Sequence, residues 1–407
     1  MEYRTAVKIG STMRILKIFD GDYPWDVRVE KTLRTLRARG HEVTLLCRNR
    51  AGRTRRETIN GVEIRRLPHP GGLEPLTGFP AFFHPVWRYA ARRTAREIHP
   101  KRIFVRDLPL APLGVWLARR CGVPLLIDMA EPYPEALRSN WQFNDRRSPL
   151  DLILRNPSLA DAVERWVIRQ GPRVLVVAEE AGRRLERLGL APDAWTLVHN
   201  SPELERFPSI SPEQARVPAA LAGRVLLLFS GILVGDRGVE VAIAGLKEIL
   251  KERPQSVGLV VIGEGPARAR YEACARELGL QNAVAFTGWV PHDELPFYWA
   301  GAAIGILPFH TCTHIHTTLA NKLFDYMAVG LPIVASDARP MLRVLSQTGA
   351  GVTFPSGDAS AFARAVLDLL TSPEKMRAMA ACGRAAACDS YNWARDAERL
   401  VAALEKP

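Results

Sequence analysis

The chain has 407 residues, of which 47% are apolar and 24% are charged, and its net charge is +12. This length exceeds one ordinary domain and suits two, and the composition is that of a soluble globular protein. No apolar run approaches the roughly 18–20 residues that cross a bilayer, and the first residues do not resemble a signal peptide, so we expect a cytoplasmic protein.

Short apolar runs alternate with helical patterns along the whole chain, which predicts parallel sheets with crossover helices. Six strands are predicted in the first half: Met13–Phe19, Glu42–Cys47, Ile103–Arg106, Leu125–Met129, Val174–Ala178 and Trp195–His199. Six more are predicted in the second half: Val225–Ser230, Gly258–Ile262, Val284–Thr287, Ile304–Leu307, Ile333–Ala335 and Gly351–Phe354. The predicted fold class is therefore α/β, with two doubly wound, Rossmann-like domains.

A Pro- and Ser-rich stretch, Phe207–Glu213, predicts a linker between the two domains. We expect a first domain at 1–205, a linker at 206–223, a second domain at 224–388 and a C-terminal segment at 389–407. Open α/β sheets bind ligands beyond the carboxyl ends of their strands, so the predicted active site is a cleft between the domains.

The positive charge is concentrated in the first half. Residues 1–205 contain 35 Lys or Arg and 24 Asp or Glu, whereas the remainder contains 20 and 19. This asymmetry predicts a partner that is negative on one side, such as an anionic membrane, a lipid-pyrophosphate acceptor or nucleic acid. An arginine-rich composition without functional meaning is the alternative. Nucleic acid is disfavoured because the chain contains no recognised binding module.

Neither the cysteines nor the histidines form a metal-ligand pattern. The six cysteines are scattered, and we expect reduced, mostly buried thiols. His310, His314 and His316 are clustered, but they lack helical ligand spacing and a nearby carboxylate. We therefore expect no metal, and histidines that either face the donor or lie inert on the surface.

The segment Asn321–Val334 is the most informative part of the sequence. It begins a helix with Asn321 and Lys322, places Asp325 one turn later, and ends the helix at Gly330. The unpaired N–H groups and the positive dipole of a helix start favour a phosphate, and Lys322 adds a cation. Asp325 lies on the same face as Asn321, where its carboxylate can accept a sugar hydroxyl group.

This segment resembles the signature of glycosyltransferase family 4, which comprises retaining enzymes of the GT-B fold that use nucleotide-sugar donors. The resemblance implies two facing domains and a last helix, here Trp393–Glu405, that crosses back onto the first domain. It also implies catalysis without an obligatory metal or other cofactor. The donor helix, Asn-Lys-Leu-x-x-Tyr-Met-Ala, includes Leu323 among the expected donor-binding residues.

Further donor-domain motifs match the family, with two departures. In the family an Arg follows the first Gly after the first strand, and a Lys comes five residues later; both bind the diphosphate. Here Gly231 is followed by Ile232, and Arg237 replaces the Lys. The family has two acids eight positions apart; here Asp325 matches the second, whereas Thr317 replaces the first.

The remaining donor motifs follow the next two strands. Gly263-Glu264-Gly265-Pro266 matches the family's Gly-acid-Gly-Pro, in which glycines allow a close approach to the ligand. Trp289-Val290-Pro291 matches a landmark where the family holds the base with backbone around the residue before Pro, here Val290. By itself, the Gly before this landmark predicts no more than a turn after the strand.

The resemblance extends more loosely into the first half. Asp26-Val27-Arg28-Val29 resembles a subgroup whose first helix begins Asp-x-Arg-Val, and the loop Gly21–Trp25 before it carries Asp22. We expect Asp22 and Arg28 beside the cleft, or else Arg28 paired with Asp26 or Glu30 on the surface.

Asp128-Met129-Ala130-Glu131 resembles the family's Asp-x-His-Glu, with Ala130 at the His position. We expect Glu131 to orient the acceptor hydroxyl group or to stabilise positive charge at the anomeric carbon. A loop acid that pairs with an arginine is the alternative.

Aromatic residues stand beside arginines along Phe79–Ile98, which predicts a helix on anionic lipid, a groove for a polyprenyl carrier, or an ordinary crossover helix with a buried aromatic face.

The sequence as a whole predicts a glycosyltransferase in which Glu131, Arg237 and Lys322 carry catalysis. The expected partners are a UDP- or GDP-linked sugar donor and a glycan or lipid-linked acceptor, in cell-surface polysaccharide assembly. The departures at Ile232, Thr317 and Ala130 favour an alternative, a non-catalytic partner protein that keeps the fold.

Overall fold

The computed structural model describes residues 12–24, 26–69, 71, 82, 84–143, 155–207 and 210–406. Trp25, in the loop Gly21–Trp25, lies outside the described residues. Most of residues 70–83, which include the start of the aromatic segment Phe79–Ile98, also lie outside them. The chain forms two compact units. Unit 1 contains Met1–Leu137, Arg147–Val198 and Asp396–Pro407, and unit 2 contains Arg138–Arg146 and His199–Arg395.

Unit 1 is built on an eight-stranded sheet of order β3-β4-β2-β1-β5-β6-β7-β8. The strands are β1 Arg14–Asp22, β2 Glu42–Arg48, β3 Arg56–Ile59, β4 Val62–Arg66, β5 Arg102–Arg106, β6 Leu125–Met129, β7 Arg173–Val176 and β8 Trp195–Leu197. All neighbours pair in parallel except β3 and β4, which form an antiparallel hairpin. Ile15, Leu16 and Ile18 of β1 are fully buried, because helices cover both faces of a parallel sheet.

The described helices that begin in unit 1 are α1 Val27–Ala38, α2 Pro85–Ile98, α3 Ala111–Cys121, α4 Tyr133–Phe143, α5 Pro157–Ile168 and α6 Glu179–Arg187. Asp26 caps α1 by accepting a 2.8 Å hydrogen bond from the N–H of Val29. The second half of α4, from Arg138 onward, belongs to unit 2.

Unit 2 is built on a six-stranded parallel sheet of order β11-β10-β9-β12-β13-β14. Its strands are β9 Val225–Ser230, β10 Val257–Ile262, β11 Val284–Gly288, β12 Ile304–Leu307, β13 Ile333–Ser336 and β14 Gly351–Phe354. Its helices are α7 Val239–Glu252, α8 Arg268–Glu277, α9 Leu295–Ala300, α10 Asn321–Val329, α11 Arg339–Thr348, α12 Ala359–Leu370 and α13 Pro373–Asp389. The predicted α/β class with two parallel-sheet domains is confirmed.

The last helix, α14 Trp393–Glu405, leaves unit 2 and joins unit 1 from Asp396 onward. Within unit 1, Arg102 donates a 2.9 Å hydrogen bond to the carbonyl oxygen of Lys406, and buried His41 lies 3.8 Å from Glu405. These contacts tie the end of the chain to the first sheet.

The cysteines differ from expectation. All six are free thiols, but Cys47 is the one that is buried, whereas Cys121, Cys382 and Cys388 are exposed. The prediction of mostly buried thiols is wrong because these three lie on the solvent faces of α3 and α13. Among the described residues, no helix combines the length and apolarity required to cross a membrane.

Candidate functional site

The sheet of unit 2 reverses its winding between β9 and β12. The chain proceeds from β9 to β10 and β11 on one side, then returns to place β12, β13 and β14 on the other. Ligands of open parallel sheets bind beyond the carboxyl ends of the strands at such a reversal. The loops 231–238 and 308–320, which follow β9 and β12, therefore define a candidate site, the unit 2 switch site.

The two loops of the unit 2 switch site are held together closely. The N–H of His310 donates a 2.9 Å hydrogen bond to the carbonyl oxygen of Asp236. Gly238 has φ +63°, and a Cβ there would overlap the carbonyl oxygen of Pro308. Gly263, with φ +137°, approaches Gly231 so closely that a Cβ would overlap its carbonyl oxygen. The expected glycine positions thus leave backbone, rather than side chains, at the carboxyl ends of β9 and β10.

Asp236 is the most connected charged group of the unit 2 switch site. Its Oδ2 accepts a 2.8 Å hydrogen bond from Ser139 and lies 3.7 Å from Nδ1 of His314, and its Oδ1 lies 3.5 Å from Arg237. Burial alone would raise the pKa of Asp236, but the interactions with His314, Arg237 and Ser139 outweigh it and hold the pKa at about 2. Asp236 is therefore a carboxylate that balances two neighbouring basic groups.

Arg237 is partly accessible, with 23% of its side chain exposed. Its guanidinium group lies 4.7 Å from the ring of Phe309, which restricts its orientation. The 3.5 Å separation from Asp236 is longer than a strong charge-assisted hydrogen bond. Arg237 thus keeps donor capacity for an anion.

Two helices begin at the unit 2 switch site without a capping side chain. α7 follows Gly238, and α10 follows Ala320; neither residue provides a side-chain hydrogen bond to the helix start. Unsatisfied N–H groups at a helix start attract anions. The predicted anion site at Asn321 is therefore one of two uncapped helix starts that follow the loops of this site.

Lys322 is directed along its own helix. Its Nζ donates a 2.8 Å hydrogen bond to Oδ2 of buried Asp325 and lies 5.1 Å from the centre of the Trp299 ring. A ligand at the start of α10 would therefore meet a lysine already paired with Asp325.

Thr317 is engaged in its loop. It is 7% exposed, and its hydroxyl group donates to the carbonyl oxygens of Thr313 and His314 at 2.7 and 3.1 Å. The residue in place of the family's first acid thus stabilises a turn. Ile232, in contrast, is 66% exposed in the loop after β9, which explains how an apolar residue there is compatible with folding.

The other expected donor residues follow neighbouring strands. Glu264 and Gly265 follow Gly263 in the loop after β10, and the exposed carboxylate of Glu264 pairs with Arg268. Val290 comes after β11, next to Trp289, which is 71% exposed. Leu323 is fully buried in α10, where it can contribute packing and its backbone.

The histidines of the loop after β12 have separate environments. His310 stacks on Phe143 at 5.6 Å and lies 3.0 Å from Glu240. Nδ1 of His316 accepts a hydrogen bond from the N–H of Arg339 at the start of α11. In the described ranges, no three His, Cys, Asp or Glu side chains converge in a way that could hold a metal ion.

Unit 1 has its own winding reversal, between β1 and β5. The residues that follow β1, β5 and β6 define the unit 1 switch site. Asp22, at the end of β1, accepts hydrogen bonds from the N–H groups of Arg50 and Ala51 and so fixes the loop after β2. Glu131 follows β6 and is exposed, as a residue that contacts a substrate must be.

Arg28 and Asp128 form a buried ion pair in unit 1, with 2% and 1% of their side chains exposed. Burial alone would raise the pKa of Asp128, but Arg28 and then Arg106 hold it at about 2. The sequence had suggested a cleft-facing Arg28 or a surface pair with a nearby acid. The structure instead pairs it with a residue 100 positions away, beneath the exposed Glu131 loop.

Asp107 has an unusual backbone, with φ 61° and ψ 164°, a combination that non-glycine residues rarely adopt. Its N–H donates a 2.9 Å hydrogen bond to the carbonyl oxygen of Asp128, and its Oδ1 accepts a 3.2 Å hydrogen bond from Ala130. Burial raises the pKa of Asp107 to about 7, against the lowering effect of Arg106. Asp107 thus holds the loop that carries Glu131.

Lys17 is fully buried beneath the same site, and among the described residues its Nζ has no hydrogen-bond partner. The Nζ atom lies 3.6 Å from the centre of the Phe104 ring. Burial lowers the pKa of Lys17 to about 7. The sequence analysis did not identify Lys17, Asp107 or Asp236 as site residues. Asp107 could have been identified, because it is an acid that directly follows the predicted strand Ile103–Arg106.

Two family models match the chain. The model described as "Glycosyl transferase 4-like domain" matches residues 26–201, and the model described as "Glycosyl transferases group 1" matches residues 224–372. Together they account for most of both units. The chain belongs to the glycosyltransferases of the group 1 type.

Curated relatives are sugar transferases. The chain is 25% identical over 354 residues to 2-deoxystreptamine glucosyltransferase of Streptomyces kanamyceticus, covering 83% of this chain and 87% of the relative. It is 28% identical over 186 residues to a GDP-mannose-dependent alpha-(1-6)-phosphatidylinositol monomannoside mannosyltransferase of Mycolicibacterium smegmatis, covering 45% of this chain. The chain spans about half the length of that mannosyltransferase.

Solved structures share the fold. Sucrose-phosphate synthase of Thermosynechococcus elongatus superposes with a TM-score of 0.75 at 18% identity, covering 96% of this chain and 98% of that one. Anabaena Alr3699/HepE in complex with UDP and glucose gives a TM-score of 0.72 at 14% identity, covering 96% and 99%. At these identities the likeness establishes the GT-B fold.

Proposed function

We propose that the chain is a retaining, metal-independent hexosyltransferase that moves a sugar from a nucleoside diphosphate to a hydroxyl group of a glycan or glycolipid. The observation that carries this proposal is the position of Arg237 directly before the start of α7, which lacks a capping side chain; α10, which follows the other loop of the unit 2 switch site, also begins without one. Such a site suits the diphosphate of a donor. The UDP complex of the Anabaena protein supports the same donor class.

In the proposed reaction, the donor diphosphate lies against Arg237, Lys322 and the start of α10 at Asn321. These groups stabilise the negative charge that develops as the bond to the anomeric carbon breaks. The backbone at Gly231, Gly263 and Val290 allows close approach to the nucleotide. We assign the remaining donor contacts, to ribose and sugar, to Glu264, Gly265, Thr317, Leu323 and Asp325.

On the acceptor side, Glu131 orients the attacking hydroxyl group, while Arg28 and Asp22 hold the surrounding loops. The oxygen attacks the face that the diphosphate leaves, and the departing phosphate takes the hydroxyl proton. We accordingly propose that the domain at 1–205 binds the acceptor and that the domain at 224–388 binds the donor, with 206–223 as the linker.

Thermal unfolding with UDP, GDP, ADP or CMP tests the donor class. A ligand at 100 times its dissociation constant adds about 2.7 kcal/mol, which shifts the unfolding midpoint measurably. We expect a shift with UDP or GDP, which then identifies the donor for activity measurements. No shift with any of the four would overturn the proposed donor site.

Arg237→Ala and Lys322→Ala test the diphosphate contacts. Each should reduce sugar transfer by at least tenfold while the fold is retained, because each removes a cation from the leaving group. Arg276→Ala and Lys251→Ala, on exposed helical positions of unit 2, are the matched controls and should leave transfer unchanged. Unchanged turnover in both test variants would contradict the assignment.

A non-catalytic partner protein is the second candidate. Ile232, Thr317 and Ala130 favour it, because each lacks the charge or ring that the family pattern has there. This candidate predicts nucleotide binding without sugar transfer and without hydrolysis of the nucleotide sugar. Chromatographic detection of free sugar from UDP-glucose or GDP-mannose distinguishes the two.

We also propose that unit 1 contacts an anionic membrane from the cytoplasmic side, during cell-surface polysaccharide assembly. Arg120 and Arg96 lower the pKa of Arg92, which shows that like charges crowd the adjoining faces of α2 and α3. Tyr89, beside this patch, is 69% exposed. Arginines beside an exposed aromatic ring suit the interface of an anionic bilayer.

Sedimentation with vesicles tests this contact. Wild-type protein should bind phosphatidylglycerol vesicles more than phosphatidylcholine vesicles, and Arg92→Glu combined with Arg96→Glu should abolish the difference. We expect no nucleic-acid binding, which a gel-shift assay checks. Equal binding of wild-type protein to both vesicle types would overturn the membrane proposal.

A further inference from the structure

His314 is a buried imidazole that lies beside the carboxylate of Asp236. The residue is 7% exposed, and in the described part of the chain neither Nδ1 nor Nε2 has a hydrogen-bond partner. Buried polar atoms are almost always paired, so two unpaired nitrogens on one ring call for a ligand or water. The ring belongs to the loop after β12, at the unit 2 switch site.

One carboxylate, that of Asp236, lies close to the ring of His314. Nδ1 lies 3.7 Å from Oδ2 of Asp236, the carboxylate that also lies 3.5 Å from Arg237. Ser139 holds that carboxylate with a 2.8 Å hydrogen bond, and Cys312 contacts Ser139 at 3.7 Å. His314 and Arg237 therefore flank one carboxylate, and both belong to the loops that meet at the winding reversal.

The same carboxylate leaves an oxygen unpaired. Oδ1 of Asp236 has no hydrogen-bond partner among the described residues, although Arg237 is nearby. The local network is thus incomplete on the side shared by Arg237 and His314. The unpaired Oδ1 is an acceptor, whereas Nε2 of His314 and the remaining N–H groups of Arg237 are the donors that a ligand with several anionic oxygens would satisfy.

We propose that His314, held by Asp236, donates a hydrogen bond from Nε2 to the terminal phosphate of the bound nucleoside diphosphate. This inference rests on the proposed function and adds a residue to its donor site. As the bond between the anomeric carbon and the phosphate oxygen breaks, its electron pair goes to that oxygen, and the Nε2 proton stays on the ring while stabilising the new charge. Asp236 holds the ring in position throughout.

The proposed hydrogen bond should strengthen the binding of nucleoside diphosphates and not of nucleoside monophosphates, because only the diphosphates carry the terminal phosphate. His314→Gln keeps an N–H donor but cannot be charged. We expect its dissociation constant for UDP to rise about tenfold, the loss of one charge-assisted hydrogen bond, while its affinity for UMP stays at the wild-type value. If GDP is the nucleotide that shifts the unfolding midpoint, GDP and GMP replace this pair.

His316→Gln is the matched control, since this residue lies in the same loop but bonds to the start of α11. It should keep the wild-type affinity for both UDP and UMP.

Asp236→Asn covers the case in which His314→Gln does not fold. It leaves the ring in place but removes the carboxylate beside Nδ1, so UDP affinity should fall by more than UMP affinity. Equal losses of UDP and UMP affinity, or none, would overturn the role of His314 while leaving the proposed function intact. Wild-type protein that binds none of the nucleotides would overturn both.

Discussion

The hydrogen bonds that join Arg28 and Asp128 include one from Nη2 to Oδ1 at 2.7 Å and one from Nε to Oδ2 at 3.0 Å. This geometry is the bidentate pairing that a guanidinium group and a carboxylate form best. It links the first helix of unit 1 to the end of β6, directly before the loop that carries Glu131. Nη2 of Arg28 also donates to the carbonyl oxygen of Val198, at the last residue of the unit's central segment.

Arg28→Met should destabilise the protein by about 3–5 kcal/mol, because it leaves Asp128 buried without its principal partner. Urea unfolding at pH 7 measures the change. The double variant Arg28→Met, Asp128→Leu should recover much of the loss, since it removes both charges. The pKa of Asp128 is depressed in the folded state, so its contribution is present above about pH 4 and is lost as the pH falls towards 2. A double variant less stable than Arg28→Met would contradict this account.

Lys17→Met should stabilise the protein most near neutral pH. The pKa of Lys17 is about 7 in the folded state and about 10.5 when exposed, so folding disfavours its charged form. Wild-type stability should therefore rise between pH 7 and pH 10, by an amount on the order of 4 kcal/mol at most, and this rise should disappear in the variant. Urea unfolding at pH 7 and pH 9.5 measures both effects, with exposed Lys101→Met as the control.

Asp107→Gly and Asp107→Ala separate backbone strain from side-chain contacts. Both variants lose the carboxylate, but glycine adopts the native φ of 61° without a steric penalty. We expect Asp107→Gly to be about 1–3 kcal/mol more stable than Asp107→Ala. Both should lose sugar transfer, since the hydrogen bond that holds Ala130 is gone. Equal stabilities would show that Asp107 is not strained.

Ile232→Arg should tighten the binding of nucleoside diphosphates several-fold, because it adds a cation to the loop that carries Arg237. The position is 66% exposed, so the stability should change by less than about 0.5 kcal/mol. Ile232→Gln has a similar polarity without the charge and is the matched control. Isothermal titration with UDP or GDP measures the effect, and an equal gain in both variants would argue against an electrostatic cause.

The strands were largely predictable because buried parallel strands are short, continuous apolar runs. The β3–β4 hairpin was missed although its signal is present: Asn60-Gly61 joins the two strands, and both residues have positive φ. This dipeptide favours a two-residue hairpin turn. β3 lies at the edge of the sheet and is partly exposed, whereas β4 is mostly buried but includes Arg65 and Arg66, so the apolar pattern of both strands is weak.

The sequence could predict which loops form the candidate site, but it could not predict the side-chain contacts that hold those loops. The glycines, Arg237 and the α10 start follow short motifs, which local sequence specifies. The pairing of Arg28 with Asp128, and of Asp236 with Ser139, joins residues about 100 positions apart. The pKa values of Lys17 and Asp107 depend on burial, which follows from tertiary packing and not from their neighbours in sequence.

Because Asp396–Lys406 belongs to unit 1, the two units cannot complete their folding in the order in which they begin along the chain. Unit 1 begins near the start of the chain, yet the helix that completes it is synthesised after all of unit 2. A ribosome therefore exposes a finished unit 2 while His41 and Arg102 still await their partners at Glu405 and Lys406. Since domains fold as units during synthesis, unit 1 should mature last although most of its chain emerges first.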